Sequence, residues 1–324
     1  MQIQQLDLDR PGPLLDGLYA AFRDAYSDLP GPTMSALNYA WMITKGWSDE
    51  KLEAWVATSE GEVVGGFGLA LPRRENTHLG ELNDLVVRRA AQRRGVGTAL
   101  LEHAAQRIRA HGRTLLTTIA PADSPFAGAR GFSVGLSDAR RVLDLRTADW
   151  DKLRAMTPEA DGYRLERWFG PAPSELLPDL STMMAGMNDA PSAEGIDDVD
   201  WDVERVKISE DTLVPTAQLT YSTLARRISD GAPAGYTRIY LDEHEHRGWA
   251  RQADTTVLDG HRGHRLGLLL KLSNLFWLRE AQQDIDRVVT WNATSNAHML
   301  AINEAMGFEL LDEWNEWQLP LKEG

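Results

Sequence analysis

Residues 79–101 read LGELNDLVVRRAAQRRGVGTALL, and this stretch decides the fold. Leu79 to Val87 ends rich in Leu and Val, as a buried strand does. Gln92-Arg93-Arg94-Gly95-Val96-Gly97 follows directly and opens a helix, with Val96, Leu100, Ala104 and Ile108 at four-residue spacing on one face. Gly112 is placed to end that helix. Where a strand runs into a helix, the first-turn N–H groups have no helical partner, the helix dipole is positive, and glycine lets the backbone approach closely. Such a turn suits an anion such as a pyrophosphate.

Working outward, the first half alternates elements. Residues 1–8 read as a strand, 13–29 and 32–45 as two helices, and 51–60 with 62–71 as a hairpin turning at Glu60-Gly61. Beyond the central motif, 114–120 is a buried-type strand, 124–132 a short helix ending in Gly131-Phe132, and 140–145 a closing strand. Residues 146–161 are polar, contain Pro158 and read as a linker.

The second half repeats the plan. Residues 163–168 resemble a first strand, and 173–230 read as helical with an acidic, loop-like interruption at 192–200. Strands at 234–242 and 247–259 flank His244-Glu245-His246, which is read as a solvated hairpin tip. Then His261-Arg262-Gly263-His264-Arg265-Leu266-Gly267 opens a Leu-rich helix, followed by a strand at 286–292, a helix at 295–306, Gly307-Phe308 and a closing strand at 313–321. Two unrelated domains rarely agree in element order and motif spacing, so a duplication is expected, with domains at 1–145 and 162–324.

Composition narrows the function. There is no cysteine among the 324 residues, which removes disulfides, thiolate nucleophiles and Cys-based zinc sites. The 48 acidic residues outnumber the 34 basic ones, for a formal charge of −14, a field that repels polyanions such as nucleic acids and favours cationic small molecules. Neither a signal peptide nor a membrane span is indicated, and a cytoplasmic location is expected. No metal site is expected, and the oligomeric state is not legible.

With both turns quoted, the chain resembles the GNAT superfamily of acyl-CoA-dependent N-acyltransferases in its tandem-domain form, a layout shared with mycothiol synthase. QRRGVGTALL and HRGHRLGLLLK carry the resemblance most specifically. It implies two α/β domains, each a mixed, mostly antiparallel twisted sheet flanked by helices, and acetyl-CoA or another short acyl-CoA as donor. By the same resemblance Gln92, Arg93, Arg94, Gly95, Val96, Gly97 and Thr98 wrap the pyrophosphate, and Val86 and Val87 pair with the pantetheine arm. In the second half these roles fall to Arg262, Gly263, His264, Arg265, Leu266, Gly267 and Leu268, with Val257 and Leu258 ahead of them. Arg265 stands where the first Gly is usual, so its side chain either adds a phosphate contact or marks a weakened site.

Acyl transfer to an amine needs a base, an oxyanion donor and an acid for the leaving thiolate. The resemblance places the base on the strand before the turn, where the chain offers Glu81 and Asp84, and Asp254. In a regular strand Glu81 shares parity with Val87, and Asp84 faces the other way. The usual acid is a Tyr four residues before the Gly of Gly-Phe, and here those positions are Ala127 and Asn303. Asn296 matches an Asn that bonds the pantetheine arm, with Asn292 nearby, so the second half is the expected seat of catalysis. The function expected is N-acetylation of a small cationic amine. The alternatives are a silent acyl-CoA sensor or scaffold, and an enzyme in which one domain works and the other is structural.

Overall fold

The computed structural model describes residues 1–47 and 49–322. In chain order its elements are β1 (Gln2–Gln5), α1 (Gly12–Ala25), α2 (Ala36–Thr44), β2 (Glu50–Ser59), β3 (Glu62–Pro72), β4 (Leu79–Val87), α3 (Val96–Ala110), β5 (Leu115–Pro121), α4 (Pro125–Ala129) and β6 (Ser133–Asp144). They continue as α5 (Trp150–Ala155), β7 (Tyr163–Phe169), α6 (Leu177–Ala185), α7 (Val203–Asp211), β8 (Gln218–Arg227), β9 (Pro233–Asp242), β10 (Trp249–Val257), α8 (Leu266–Ala281), β11 (Arg287–Ala293), α9 (Ala297–Met306) and β12 (Glu309–Pro320).

The chain divides into two compact units. Unit 1 holds Met1–Ser137, Ala193–Asp197 and Trp314–Gly324, and unit 2 holds Asp138–Ser192 and Asp198–Glu313. In unit 1 the strand order is β1-β2-β3-β4-β5-β12, antiparallel at every step except β4-β5. In unit 2 it is β7-β8-β9-β10-β11-β6, antiparallel except at β10-β11. One order and one set of directions are thus used twice.

The closing strands depart from the linear halves. Residues 314–320 of β12 pair with β5 in unit 1, and residues 138–144 of β6 pair with β11 in unit 2. Each half of the sequence therefore supplies the other unit's sixth strand, and the compact units are not the spans 1–145 and 162–324. The stretch read as a linker is also structured: Asp149 caps α5 by accepting from Lys152 N at 2.9 Å, and Leu153 is buried in the unit 2 core. Within the stretch read as helical, 218–227 is the strand β8, whose buried Thr220, Ser222 and Thr223 hide it from a hydrophobicity pattern.

Local chemistry explains the elements that frame the site. The β2-β3 hairpin turns at Glu60 and Gly61, both left-handed at φ 54° and 86°, the conformation a two-residue hairpin loop requires. In unit 1, α3 packs Val96, Leu100, Leu101, Ala104 and Ile108 on one face of the sheet, while α1 and α2 cover the other with Leu18, Phe22, Tyr39 and Ile43. Leu100 and Ile108 are fully buried, and each such side chain stabilises the fold by about 1.5–3 kcal/mol. In unit 2 the Leu-rich face of α8 takes the place of α3, and α6 and α7 form a separate cluster around Trp168 and Tyr236.

Candidate active site

Both turns have the same backbone. In unit 1, Arg93 and Gly95 are left-handed at φ 61° and 85°; in unit 2, Gly263 and Arg265 are, at 85° and 56°. Each copy thus fills one left-handed position with Gly and the other with Arg, so Arg265 keeps the geometry that a Gly usually supplies. The first helical bond of α3 runs from Ala99 N to Gly95 O at 3.0 Å, and that of α8 from Leu269 N to Arg265 O at 3.1 Å. The amides of Val96, Gly97 and Thr98, and of Leu266, Gly267 and Leu268, lie ahead of those ladders, where an anion can be held.

Side chains at the two turns brace as well as line them. Gln92 Nε2 donates to Val87 O at 3.1 Å, and Arg262 Nε donates to Val257 O at 3.3 Å, so both tie the turn back to the strand end. Arg262 also meets Asp189 at 2.8 Å and Asp259 at 2.6 Å, which offsets its charge. Arg93, Arg94, His264 and Arg265 are exposed. Arg130, which the sequence reading passed over, donates to Thr98 Oγ1 at 2.6 Å and lies over the Phe126 ring, adding a cation beside the first turn. A Cβ on Gly97 would lie 3.4 Å from the Phe126 ring, an ordinary contact.

Next to each turn the sheet opens. β4 pairs with β5 only from Leu79 to Glu81, and β10 with β11 only from Trp249 to Gln252. Beyond those residues the edges facing β5 and β11 have no strand partner among the described residues, and Val86, Val87 and Val257 lie along them. Leu258 differs from the expectation, because its amide is committed to Ala234 O at 3.0 Å on the β9 side.

Each opening strand carries a bulge at its aspartate. Gly66 faces Val86 while Gly68 faces Asn83, so β4 carries one extra residue, with Asp84 left-handed at φ 45°. β10 repeats this at Ala253-Asp254, between partners Gln252 and Thr255. The bulge reverses the alternation expected of a regular strand. Leu82 and Val87 both pack with α3, Val86 packs with α1, and Asp84 turns to the α1 side.

Asp84 sits among aromatics. It accepts a hydrogen bond from Tyr26 Oη at 3.1 Å, and Tyr26 stacks on Trp314 with ring centroids 6.2 Å apart. Tyr39 is fully buried, and its hydroxyl has no partner among the described residues. Burial pushes the Asp84 carboxyl up to about 6 against the lowering effect of the Tyr26 bond. Glu81 is pushed up to about 7, first by loss of hydration and then by Glu50 and Glu316, with Arg113 opposing. Its side chain is nonetheless exposed, so solvent tempers that shift.

Unit 2 is arranged differently at the same place. Burial raises Asp254, but Arg238 acts against the rise. Arg238 in turn is held by Glu210 at 2.7 Å and Ser222 at 3.0 Å. The three asparagines expected near the thioester are engaged with one another or with helix ends. Asn303 Nδ2 donates to Asn292 Oδ1 at 2.7 Å, and Asn296 Oδ1 caps α9 by accepting from Met299 N at 3.1 Å. Ala127, the counterpart in unit 1, offers no side-chain donor. Among the described residues no helix is long and apolar enough to cross a membrane.

Comparison with known proteins agrees with this geometry. Residues 15–132 match the acetyltransferase (GNAT) family model. A solved tandem GNAT protein from the clavulanic acid biosynthesis pathway is 27% identical, covers 100% of this chain and 99% of its own, and superposes with a TM-score of 0.85. A GCN5-related N-acetyltransferase from Sphaerobacter thermophilus shares the fold at 16% identity over 100% of this chain and 96% of its own, with a TM-score of 0.64. No curated protein sequence matches significantly. The first half thus matches the GNAT acetyltransferase family model over residues 15–132, and the whole chain has a tandem GNAT fold.

Proposed function

We propose that the protein acylates the nitrogen of a small cationic amine, with acetyl-CoA as donor, and that unit 1 does the work. The observation that carries this reading is the Asp84 carboxyl, presented by the β4 bulge beside the open strand edge, with burial and Tyr26 as the influences that set its proton affinity. A carboxyl near 6 is ionised at neutral pH yet basic enough to take a proton from an ammonium group as it reacts. Asp254 is also raised by burial but faces the Arg238 guanidinium, which favours its ionised form, whereas Asp84 has only the neutral Tyr26 hydroxyl against burial. On this difference we place catalysis in the first half rather than the expected second. Unit 2 then has a binding or structural part.

The residues fit an acyl-CoA. The amides of Val96, Gly97 and Thr98 with Arg93, Arg94 and Arg130 suit its pyrophosphate, and the open edge at Val86 and Val87 suits an amide-bearing arm. When bound, the thioester supplies the acyl carbon: the new C–N bond forms, the C–S bond breaks, and its electron pair leaves on sulfur. Asp84 takes the proton lost by the amine nitrogen. Since Ala127 provides no acid in unit 1, the thiolate is protonated from solvent.

The test is thiol release from acetyl-CoA with a panel of amines. Release that depends on an amine supports the reading. Tight binding of acetyl-CoA without release for any amine would instead make the protein a sensor or scaffold.

A further inference from the structure

The core of unit 2 beneath α8 holds a cation that nothing in the fold balances. Lys271 on α8 is 1% exposed, and its Nζ lies over the Phe308 ring, 5.6 Å from the centroid. Neither a carboxylate nor a hydrogen-bond acceptor meets it among the described residues. Burial alone pushes its amine down to about 7. An ammonium group taken out of water without an anion is costly, so a buried lysine calls for a partner.

A second buried group beside it is incomplete. Asn303 on α9 is 0% exposed, and its Nδ2 donates to Asn292 Oδ1 at 2.7 Å, but its Oδ1 has no partner among the described residues. Phe308 joins the two, since its amide donates to Asn303 O at 2.9 Å and its ring carries Lys271. Asn292 lies two residues past Thr290, the last residue of β11 that pairs with β10, so the group stands where the strands part.

Unit 1 builds the same positions from apolar residues. Leu101 and Lys271 are each the sixth residue of the helix after the turn, and Leu82 and Gln252 hold the same register against Leu69 and Ile239. Ala127 and Asn303 each lie four residues before the Gly of Gly-Phe. Leu82 and Leu101 pack in one apolar core, whereas Gln252 is buried with its Nε2 bonded to Thr237 Oγ1 at 2.9 Å and Arg238 O at 2.8 Å. The fold therefore needs no polar side chain here, and the lysine calls for a reason outside packing.

Two demands define a ligand. Lys271 requires an anion, and Asn303 Oδ1 requires an N–H donor. A free carboxylate meets only the first. An acyl-CoA whose acyl chain ends in a carboxylate meets both, with an amide N–H in its arm and an anion at the end of the chain. We propose that unit 2 holds the CoA thioester of a short dicarboxylic acid, with Lys271 as counter-ion to the free carboxylate and Asn303 as acceptor for an amide of the arm. The assignment rests on the acyl-CoA reading of the turn from Arg262 to Leu268. It gives the two units different acyl preferences, because Leu82 and Leu101 offer such a chain no counter-ion.

Calorimetric titration of the full chain tests it, in a Gly97→Glu background that weakens the unit 1 turn. Succinyl-CoA should bind at least tenfold more tightly than acetyl-CoA. Lys271→Met keeps the length of the side chain and removes the charge, so it should abolish that preference and leave acetyl-CoA affinity within about twofold. It should melt no lower than the parent, because a buried charge is gone, and Lys271→Leu, the residue unit 1 uses, serves if it does. Equal affinity for the two thioesters, or a preference that survives in both Lys271 variants, overturns the proposal while leaving acyl-CoA binding intact. Succinate bound by itself as tightly as succinyl-CoA, and lost in Lys271→Met, would assign the place to a free acid and overturn the thioester. Absence of any thioester binding in the Gly97→Glu background overturns the acyl-CoA reading of the second turn, and the proposal with it.

Discussion

Tyr26 donates its hydroxyl to Asp84 at 3.1 Å, joining the end of α1 to a bulge 58 residues further along the chain. The bond favours the ionised carboxylate and is the influence that opposes burial. In Tyr26→Phe the Asp84 pKa should rise further. The acid limb of kcat/KM, where Asp84 must lose its proton, then moves to higher pH by roughly one unit, the size expected for one such hydrogen bond. An unmoved limb would detach Asp84 from the rate.

The shared turn geometry makes a prediction about strain. Arg265 holds a left-handed φ of 56°, which glycine adopts without cost. Arg265→Gly should therefore stabilise the protein by about 1 kcal/mol in thermal or urea denaturation. Gly95→Ala should do the reverse by a similar amount, because nothing lies within 4 Å of its Cβ position and only the φ of 85° resists the change. Equal stability in both variants would mean that the turns relax freely.

Gly97 resists a different substitution. Its Cβ position lies 3.4 Å from Phe126, an ordinary contact, so Gly97→Ala should fold and bind nearly as the parent does. Gly97→Glu places a negative charge among the first-turn amides and should lower acetyl-CoA affinity in unit 1 by about a hundredfold. Calorimetry reads both affinity and stoichiometry. An unchanged isotherm would leave the first turn without a donor role.

A buried network at the far side of α3 should set acid stability. Glu53, 4% exposed, accepts from Arg107 at 2.8 and 2.9 Å, bonds His111 at 2.7 Å and accepts from Trp55 at 3.3 Å. Burial alone raises its pKa, but these bonds overcome burial and hold it at about 2, against 4.5 when unperturbed. A carboxyl lowered on folding contributes fully above pH 4.5 and loses that contribution as pH falls toward 2. Glu53→Gln should cost about 2 kcal/mol at pH 7, and the difference from the parent should close by pH 2. A constant difference across that range would deny the role of its charge.

Legibility in the sequence followed how local each signal was. The turns were readable because Gly95, Gly97, Gly263 and Gly267 lie between a strand and a helix within a few residues. The strand β8 was not, since Thr220, Ser222 and Thr223 are buried in place of hydrophobic residues. The bulge at Asp84 reversed the alternation on which the Glu81 and Val87 parity depended. The sixth strands were hidden for a different reason: pairing β12 with β5 is a contact of high sequence separation, and nothing local announces the partner. Tyr26 and Tyr39 from the first two helices and Trp314 from near the C-terminal end gather around Asp84, so no local spacing pattern reveals them.

The central claim is that Asp84 in unit 1 is the base for acyl transfer. It is tested most directly by comparing amine-dependent thiol release in Asp84→Asn and Asp254→Asn, each checked for unchanged acetyl-CoA binding. Asp84→Asn keeps the size of the side chain and removes the base, so kcat should fall by a factor on the order of 100 or more, while Asp254→Asn should stay within a few-fold of the parent. Loss of turnover in Asp254→Asn with activity retained in Asp84→Asn would contradict the account and place the chemistry in unit 2.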